Sequence, residues 1–242
     1  MRFGLRILMS ALLIASVSPA WSAGAGPTSG GMNMPDLPPS REQTPEERAK
    51  YAYNSGVRAV NKADKYDAAA DKATDARKKD KATKEALDEY KTARGKFEQA
   101  VQYAPGMYEA WNYVGYTRRK LGDYDQALTA YERALALKPS YPEAIEYRGE
   151  AFLRLKRLDD AKQAYLDLFA GNRALADKLL GSMKTWLDTQ RSTTSDAASG
   201  GGSPDTPIDA RIEEFAQWIQ ERSQIAGQTA ALTREGAGTT WR

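Results

Sequence analysis

An all-α solenoid of helix–turn–helix repeats is what this sequence predicts, and three observations predict it. The stretch from Tyr108 to Tyr141 carries two amphipathic helices around a tight turn. Trp111, Val114, Gly115 and Arg118 stand there at i, i+3, i+4 and i+7, on one helical face. The spacing of the second helix, Ala127, Tyr131, Ala134 and Pro139, recurs upstream as Ala93, Phe97, Ala100 and Pro105, and downstream as Ala161, Tyr165 and Leu168. From Pro45 to Ala104 there is no further proline and the only glycines are Gly56 and Gly95, so little there stops a long helix. The expected architecture adds an elongated N-terminal helical hairpin, a C-terminal capping helix and disordered termini.

The chain has 242 residues, room for one domain with tails or two small ones. Residues 1–25 read as a secretory signal. Arg2 and Arg6 make its positive start, Ile7 to Val17 its apolar stretch, and cleavage is expected after Ala20, Ala23 or Ala25. The apolar run falls short of the roughly 20 residues that span a bilayer, and Pro19 ends it. An uncleaved anchor is the alternative; after cleavage no stable membrane span is expected. Removing Arg2 and Arg6 from the formal net charge of +3 leaves about +1, too balanced for nucleic acid, which needs a concentrated basic surface. There is no cysteine and no histidine. Thiol chemistry, lipid attachment at a cysteine, Ser-His and Cys-His nucleophiles and the common zinc sites are therefore all absent, and no metal or cofactor is expected.

Residues 26–43, rich in Gly, Pro and Ser, are expected to be a disordered linker. Thr44, Pro45 and Glu47 form a capping box that opens the elongated hairpin over 45–106. Its first helix shows Tyr53, Gly56, Val57 and Val60 on one face. If Gly56 faces Ala93, the turn falls near Lys72 to Asp75, with Thr74 or Asp75 capping the return. The extra dozen residues on each arm then reach roughly 18 Å past an ordinary turn. A break at Asp64-Lys65-Tyr66, giving three shorter helices, stays open as the competing reading.

Repeats follow over 108–141 and 142–173. In the first, Gly122 supplies the left-handed residue after a helix end and Asp123 a cap. Gly115 and Ala127 let the paired helices approach closely, with Trp111, Tyr124 and Tyr131 filling the space around them. In the second, Ile145, Gly149, Phe152, Ala161 and Tyr165 take the same places, while Arg148 stands where an apolar residue is usual and is expected to pair a carboxylate on the preceding helix. Leu175, Leu179, Met183, Trp186 and Leu187 make residues 173–190 an amphipathic helix that covers the apolar end of the array. Residues 191–205 read as a flexible linker. A last helix is expected over 206–226, opened by Thr206-Pro207-Ile208-Asp209, with Ile208, Ile212, Phe215 and Ile219 on one stripe and Trp218 at its edge. Residues 227–242 read as a frayed tail.

The residues at Trp111, Gly115, Ala127, Tyr131, Ala134 and Pro139 resemble the signature of the tetratricopeptide repeat, W-x2-L-G-x2-Y…A-x3-F…P. Val114 is a mild departure, and Arg118 stands where Tyr is usual. Gly149, Phe152, Ala161 and Tyr165 continue the likeness, which covers about residues 45–190. The resemblance implies that the first helices of successive repeats line a concave groove holding a protein or peptide. The outward positions of those helices are Glu109, Asn112, Tyr116, Arg119 and Lys120, then Glu143, Glu146, Glu150, Leu153 and Arg154, with Asn54, Arg58 and Asn61 upstream. From the resemblance, repeats that clamp a C-terminal carboxylate need Lys and Asn at these places, and Glu143, Glu146 and Glu150 oppose that subtype.

The expected function is thus a protein-interaction scaffold of the bacterial cell envelope, in the periplasm of a Gram-negative bacterium or secreted. The alternative is a structural subunit that meets its partner through the C-terminal helix. An exported cell-wall enzyme using one glutamate is the remaining rival. Catalysis of that kind needs a carboxyl held dry to raise its pKa, which one exposed helix face does not supply.

Overall fold

Thr44 starts the first helix in the way its capping box predicts. Its hydroxyl accepts from the Glu47 amide at 3.2 Å, and its own amide donates to the Glu47 carboxylate at 2.9 Å. The computed structural model describes residues 42–198 and 207–237, with side chains for 42–193 and 210–228. The expected signal peptide, the linker as far as residue 41, the stretch 199–206 with its cap Thr206, and residues 238–242 lie outside the described residues. Ile208 is placed only as helix backbone.

Eight helices follow one another among the described residues: α1 (Pro45–Lys72), α2 (Ala76–Tyr103), α3 (Tyr108–Lys120), α4 (Tyr124–Leu137), α5 (Pro142–Arg154), α6 (Leu158–Gly171), α7 (Arg173–Ala198) and α8 (Pro207–Ala237). Each packs on the next, and α5 also lies against α3 and α7, so alternate helices form an inner row. This is an all-α helical repeat solenoid.

α1 and α2 are unbroken helices of 28 residues each, with no loop at Asp64–Tyr66. Asp75 makes the return cap, accepting from the Lys78 amide at 2.9 Å. Their seam is mostly alanine (Ala59, Ala63, Ala70, Ala82, Ala86), which lets two long helices run side by side. The glycines meet different partners from those expected. A Cβ on Gly56 would come within 2.7 Å of the Phe97 ring, and one on Gly115 within 2.5 Å of the Tyr131 ring. In both hairpins the glycine therefore lies beneath the ring four residues beyond the alanine, because only a residue without Cβ leaves space for a flat aromatic. Gly149 departs from this pattern: Leu179 of α7 and Ala164 face it.

Two turns close the repeats with left-handed residues, Gly122 (φ 87°) and Lys156 (φ 56°). In each the following amide reaches back to the helix, Asp123 to the Arg118 carbonyl and Arg157 to the Phe152 carbonyl, both at 2.9 Å. Asp123 makes no side-chain cap and instead accepts from Arg94 at 3.4 Å.

The C-terminal third differs from the sequence expectation in three ways. α7 runs on to Ala198 rather than ending at Gln190, because no proline or glycine interrupts residues 182–198 and Ser192 and Thr193 bond back to helix carbonyls. α8 runs past Gly227 to Ala237, where Ala, Leu, Gln and Arg favour helix over a frayed tail. The cap of the array is α8 rather than α7 alone. Ile212, Phe215 and Ile219 are buried in the core that holds Trp186, Leu187 and Tyr165. Phe215 meets Trp186 edge-on at 5.8 Å, and Trp218 meets Tyr165 at 5.3 Å.

Candidate binding face

The inner row turns the C-terminal halves of α3 and α5 toward one another and toward α7. Arg119 of α3 reaches across to Glu150 of α5 at 2.6 Å, and its guanidinium lies 5.4 Å from the ring centres of both Tyr116 and Tyr147. Glu150 also accepts from the Ser182 hydroxyl of α7 at 2.8 Å. One helix back, Lys120 pairs with Asp67 of α1 at 2.5 Å and the Tyr116 hydroxyl donates to Asp64 at 2.8 Å. The Tyr90 hydroxyl of α2 lies 2.6 Å from Asp64 and 2.8 Å from Asp67. Burial first, then these carboxylates, push the Tyr90 phenol far above its ordinary range. The inner face is therefore a ladder of ionic and hydroxyl bonds running from α1 to α7.

Three residues placed outward by sequence are not outward. Asn112 is only 2% exposed, and its side-chain oxygen has no hydrogen-bond partner. Glu146 is fully buried, paired through one oxygen to Lys178 of α7 at 3.1 Å and without a partner at the other. Burial, then the neighbouring Glu150 charge, raise the Glu146 carboxyl to about 7, opposed by Lys178 and Arg119. Leu153 is buried as well. The reason is common to these positions: stacking one inner helix on the next seals the seam between them, so a residue that faces away from its own hairpin faces the neighbouring repeat. Tyr116, Arg119, Lys120, Glu143 and Glu150 stay partly accessible, and Arg154 is exposed. Arg148 lies 5.7 Å from the Phe152 ring, with its Nε unbonded, instead of pairing a carboxylate.

The signature residues form the hairpin interiors. Ala127, Tyr131, Ala134, Ala161 and Tyr165 are wholly buried, and Phe152 nearly so. Trp111 stays at the surface edge and donates its indole N–H to the Pro105 carbonyl at 2.8 Å, just before the turn into α3. Pro139 follows the end of α4, in the turn to Tyr141. Arg118, the departure from the repeat pattern, pairs with Glu98 at 2.8 Å.

Between α3, α5 and α7 lies a cavity of about 420 Å³ lined by Arg119, Glu150, Arg154, Lys178, Ser182 and Trp186, among others. Three of these, Lys178, Ser182 and Trp186, come from α7, which sequence reasoning treated only as a cover. Their signal was present, since Lys178 and Ser182 stand one residue before Leu179 and Met183 and so line the edge of the apolar stripe to which Trp186 belongs. Asp64 and Asp67 were missed because an α1 carboxylate amid alanines and lysines looks like a solvated surface.

These features define a helical repeat protein with a cavity of mixed polar and apolar lining between α3, α5 and α7. The TPR repeat family matches residues 115–156, from the glycine beneath Tyr131 to the left-handed Lys156. Among solved structures, a similar chain is the first TPR domain of Spaghetti (RPAP3), solved bound to an HSP90 peptide, SRMEEVD. It is 20% identical, with 55% of this chain and 94% of that one covered and a TM-score of 0.34. No curated protein matches the sequence.

Proposed function

We propose that this chain is a non-enzymatic interaction scaffold of the bacterial cell envelope that holds a protein or peptide partner on its inner face. The observation that carries the proposal is the cavity between α3, α5 and α7, where Arg154, Thr185 and Thr189 offer exposed polar groups beside the Trp186 wall. Repeats of the matched family serve as protein-interaction modules, which agrees with such a face. The leader-like residues 1–25 support export to the periplasm. No helix among the described residues is long and apolar enough to cross a membrane.

The rival readings fare less well. Contact through the last helix needs its apolar stripe free, yet Ile212, Phe215 and Ile219 are spent on the chain's own α6 and α7. Glu146 has the raised pKa a general acid needs, but it is sealed beneath Lys178 with no exposed surface, so no substrate atom reaches it. A photo-crosslinking residue at Thr185 in cells tests the proposal. A discrete protein adduct from Thr185, absent from the same residue at exposed Glu132, supports it. Adducts only from exposed α8 positions such as Gln217 shift the contact to the last helix. Cell fractionation with N-terminal sequencing tests export, and an unprocessed cytoplasmic chain defeats that part.

A further inference from the structure

A second inner surface lies at the N-terminal ends of α3 and α5, beside α1. There Tyr53 meets Tyr113 edge-on at 5.7 Å, and Tyr108 meets Tyr141 edge-on at 4.9 Å. Glu109 follows Tyr108 in the first turn of α3, and Glu143 lies two residues past Tyr141 in the first turn of α5. Burial, then Tyr113, Glu109 and Tyr108, push Tyr53 up to about 12, and burial, then Glu143, raises Tyr141. All six side chains are half-buried, so they are held in place yet reachable. The carboxylates deeper on the inner face, Asp67, Glu146 and Glu150, are engaged in ion pairs. Glu109 and Glu143 make none among the described residues, and one Glu143 oxygen is shielded without any donor.

The chain itself shows what such a surface accepts. The Lys138 ammonium lies 4.4 Å from the Tyr108 ring centre and 5.1 Å from that of Tyr141, and donates to the Tyr108 hydroxyl at 3.0 Å. Aromatic faces attract cations, and two carboxylates against one lysine leave the surface with a net negative charge. Tyrosines also make contact area at little entropic cost. We propose that the surface formed by Tyr53, Tyr108, Tyr113 and Tyr141 with Glu109 and Glu143 seats lysine or arginine side chains of a cationic peptide segment. This rests on the reading that the inner face holds a peptide, and it names the chemistry of that peptide. The formal charge of the whole chain is +3, so bulk attraction does not draw a polycation to it.

The test uses the full chain with a fluorescein-labelled oligolysine amide and the matching oligoglutamate, followed by anisotropy. Oligolysine should bind and oligoglutamate should not. The double variant Glu109→Gln/Glu143→Gln should weaken oligolysine about five- to tenfold. Lys138→Ala should tighten it about threefold, by vacating the seat the chain's own ammonium occupies. The charge-matched controls Glu132→Gln/Glu213→Gln and Lys184→Ala, at exposed positions on α4, α8 and α7, should leave affinity unchanged. Absent oligolysine binding, preferred oligoglutamate binding, or controls that shift affinity as much as the site variants would each overturn the proposal. If the double variant melts early, Lys138→Ala still decides. An adduct at Thr185 without oligolysine binding would leave the scaffold reading standing and remove only this one.

Discussion

Glu146→Gln should make the protein more stable at pH 8 and change little at pH 5. The carboxyl is fully buried against α7, with Lys178 on one oxygen, no donor on the other, and the Glu150 carboxylate close by. Its pKa stands at about 7 against an ordinary 4.5. Below about 4.5 the folded and unfolded chains both hold the proton, and the group's full contribution is present. Between 4.5 and 7 the unfolded chain releases a proton that the folded chain keeps, so stability falls as pH rises. Above 7 both states are ionised and the loss is complete. At about 1.4 kcal/mol per pH unit, the fall between pH 5 and pH 8 is roughly 2–3 kcal/mol. Glutamine keeps the shape and has no charge to desolvate, so it should recover about 1–3 kcal/mol of this at pH 8 after losing the Lys178 pair. Urea denaturation of both proteins at pH 5 and pH 8 measures the difference. Equal effects at the two pH values, or a variant destabilised at pH 8, would show that the Lys178 and Arg119 charges already hold Glu146 ionised without strain.

Other changes have definite signs. Gly115→Ala should destabilise by about 1–3 kcal/mol despite better helix propensity, because the new Cβ meets the buried Tyr131 ring at 2.5 Å. Gly181→Ala, with open space around it, should instead stabilise by about 0.5–1 kcal/mol, and thermal melts separate the two. Lys156→Gly should raise stability by about 1 kcal/mol by relieving a left-handed lysine where the preceding repeat has Gly122; an unchanged melting temperature would mean the turn is not strained. Phe215→Ala should cost about 3–5 kcal/mol, since that ring is wholly buried against Trp186. A much smaller loss in chemical denaturation would mean α8 is held loosely.

The fold was legible where a position has one physical solution. An alanine, an aromatic four residues on and a proline after the helix recur at fixed spacing, and that spacing around Ala93 and Phe97 revealed the degenerate hairpin, although the glycines Gly56 and Gly115 lie beneath the rings rather than against the alanines. The paired departure at Arg118 was legible as a mismatch but not as an ion pair, because Glu98 lies on another helix. Asn112 and Glu146 were misplaced for a related reason. Within one helix, a polar residue facing solvent and one facing the next repeat have the same periodicity, and only the stacking distance between α3, α5 and α7 tells them apart. The ends of α7 and α8 were set too short because Ser, Thr and Gly read as linker when no neighbour is known, although they stay helical once the preceding turns are anchored.

The alanine seam of the first hairpin has a consequence for how the molecule opens. Large side chains fasten its base, where Phe97 covers Gly56 and Tyr90 ties Asp64 to Asp67. Tyr66 packs against the cluster of Ala63, Ala86 and Tyr90. Beyond that level the buried side chains between the arms, among the described residues, are only Ala70 and Ala82, around a turn at residues 73–75. Segments with so little apolar surface to lose open at a fraction of the free energy of global unfolding. The hairpin should therefore unzip from its tip, with Tyr90 as the latch at which unzipping stops. Amide hydrogens near Ala70 and Ala82 should exchange long before those near Phe97. The protein is then a rigid array carrying one arm with a graded melting profile, tight at the root and loose at the end.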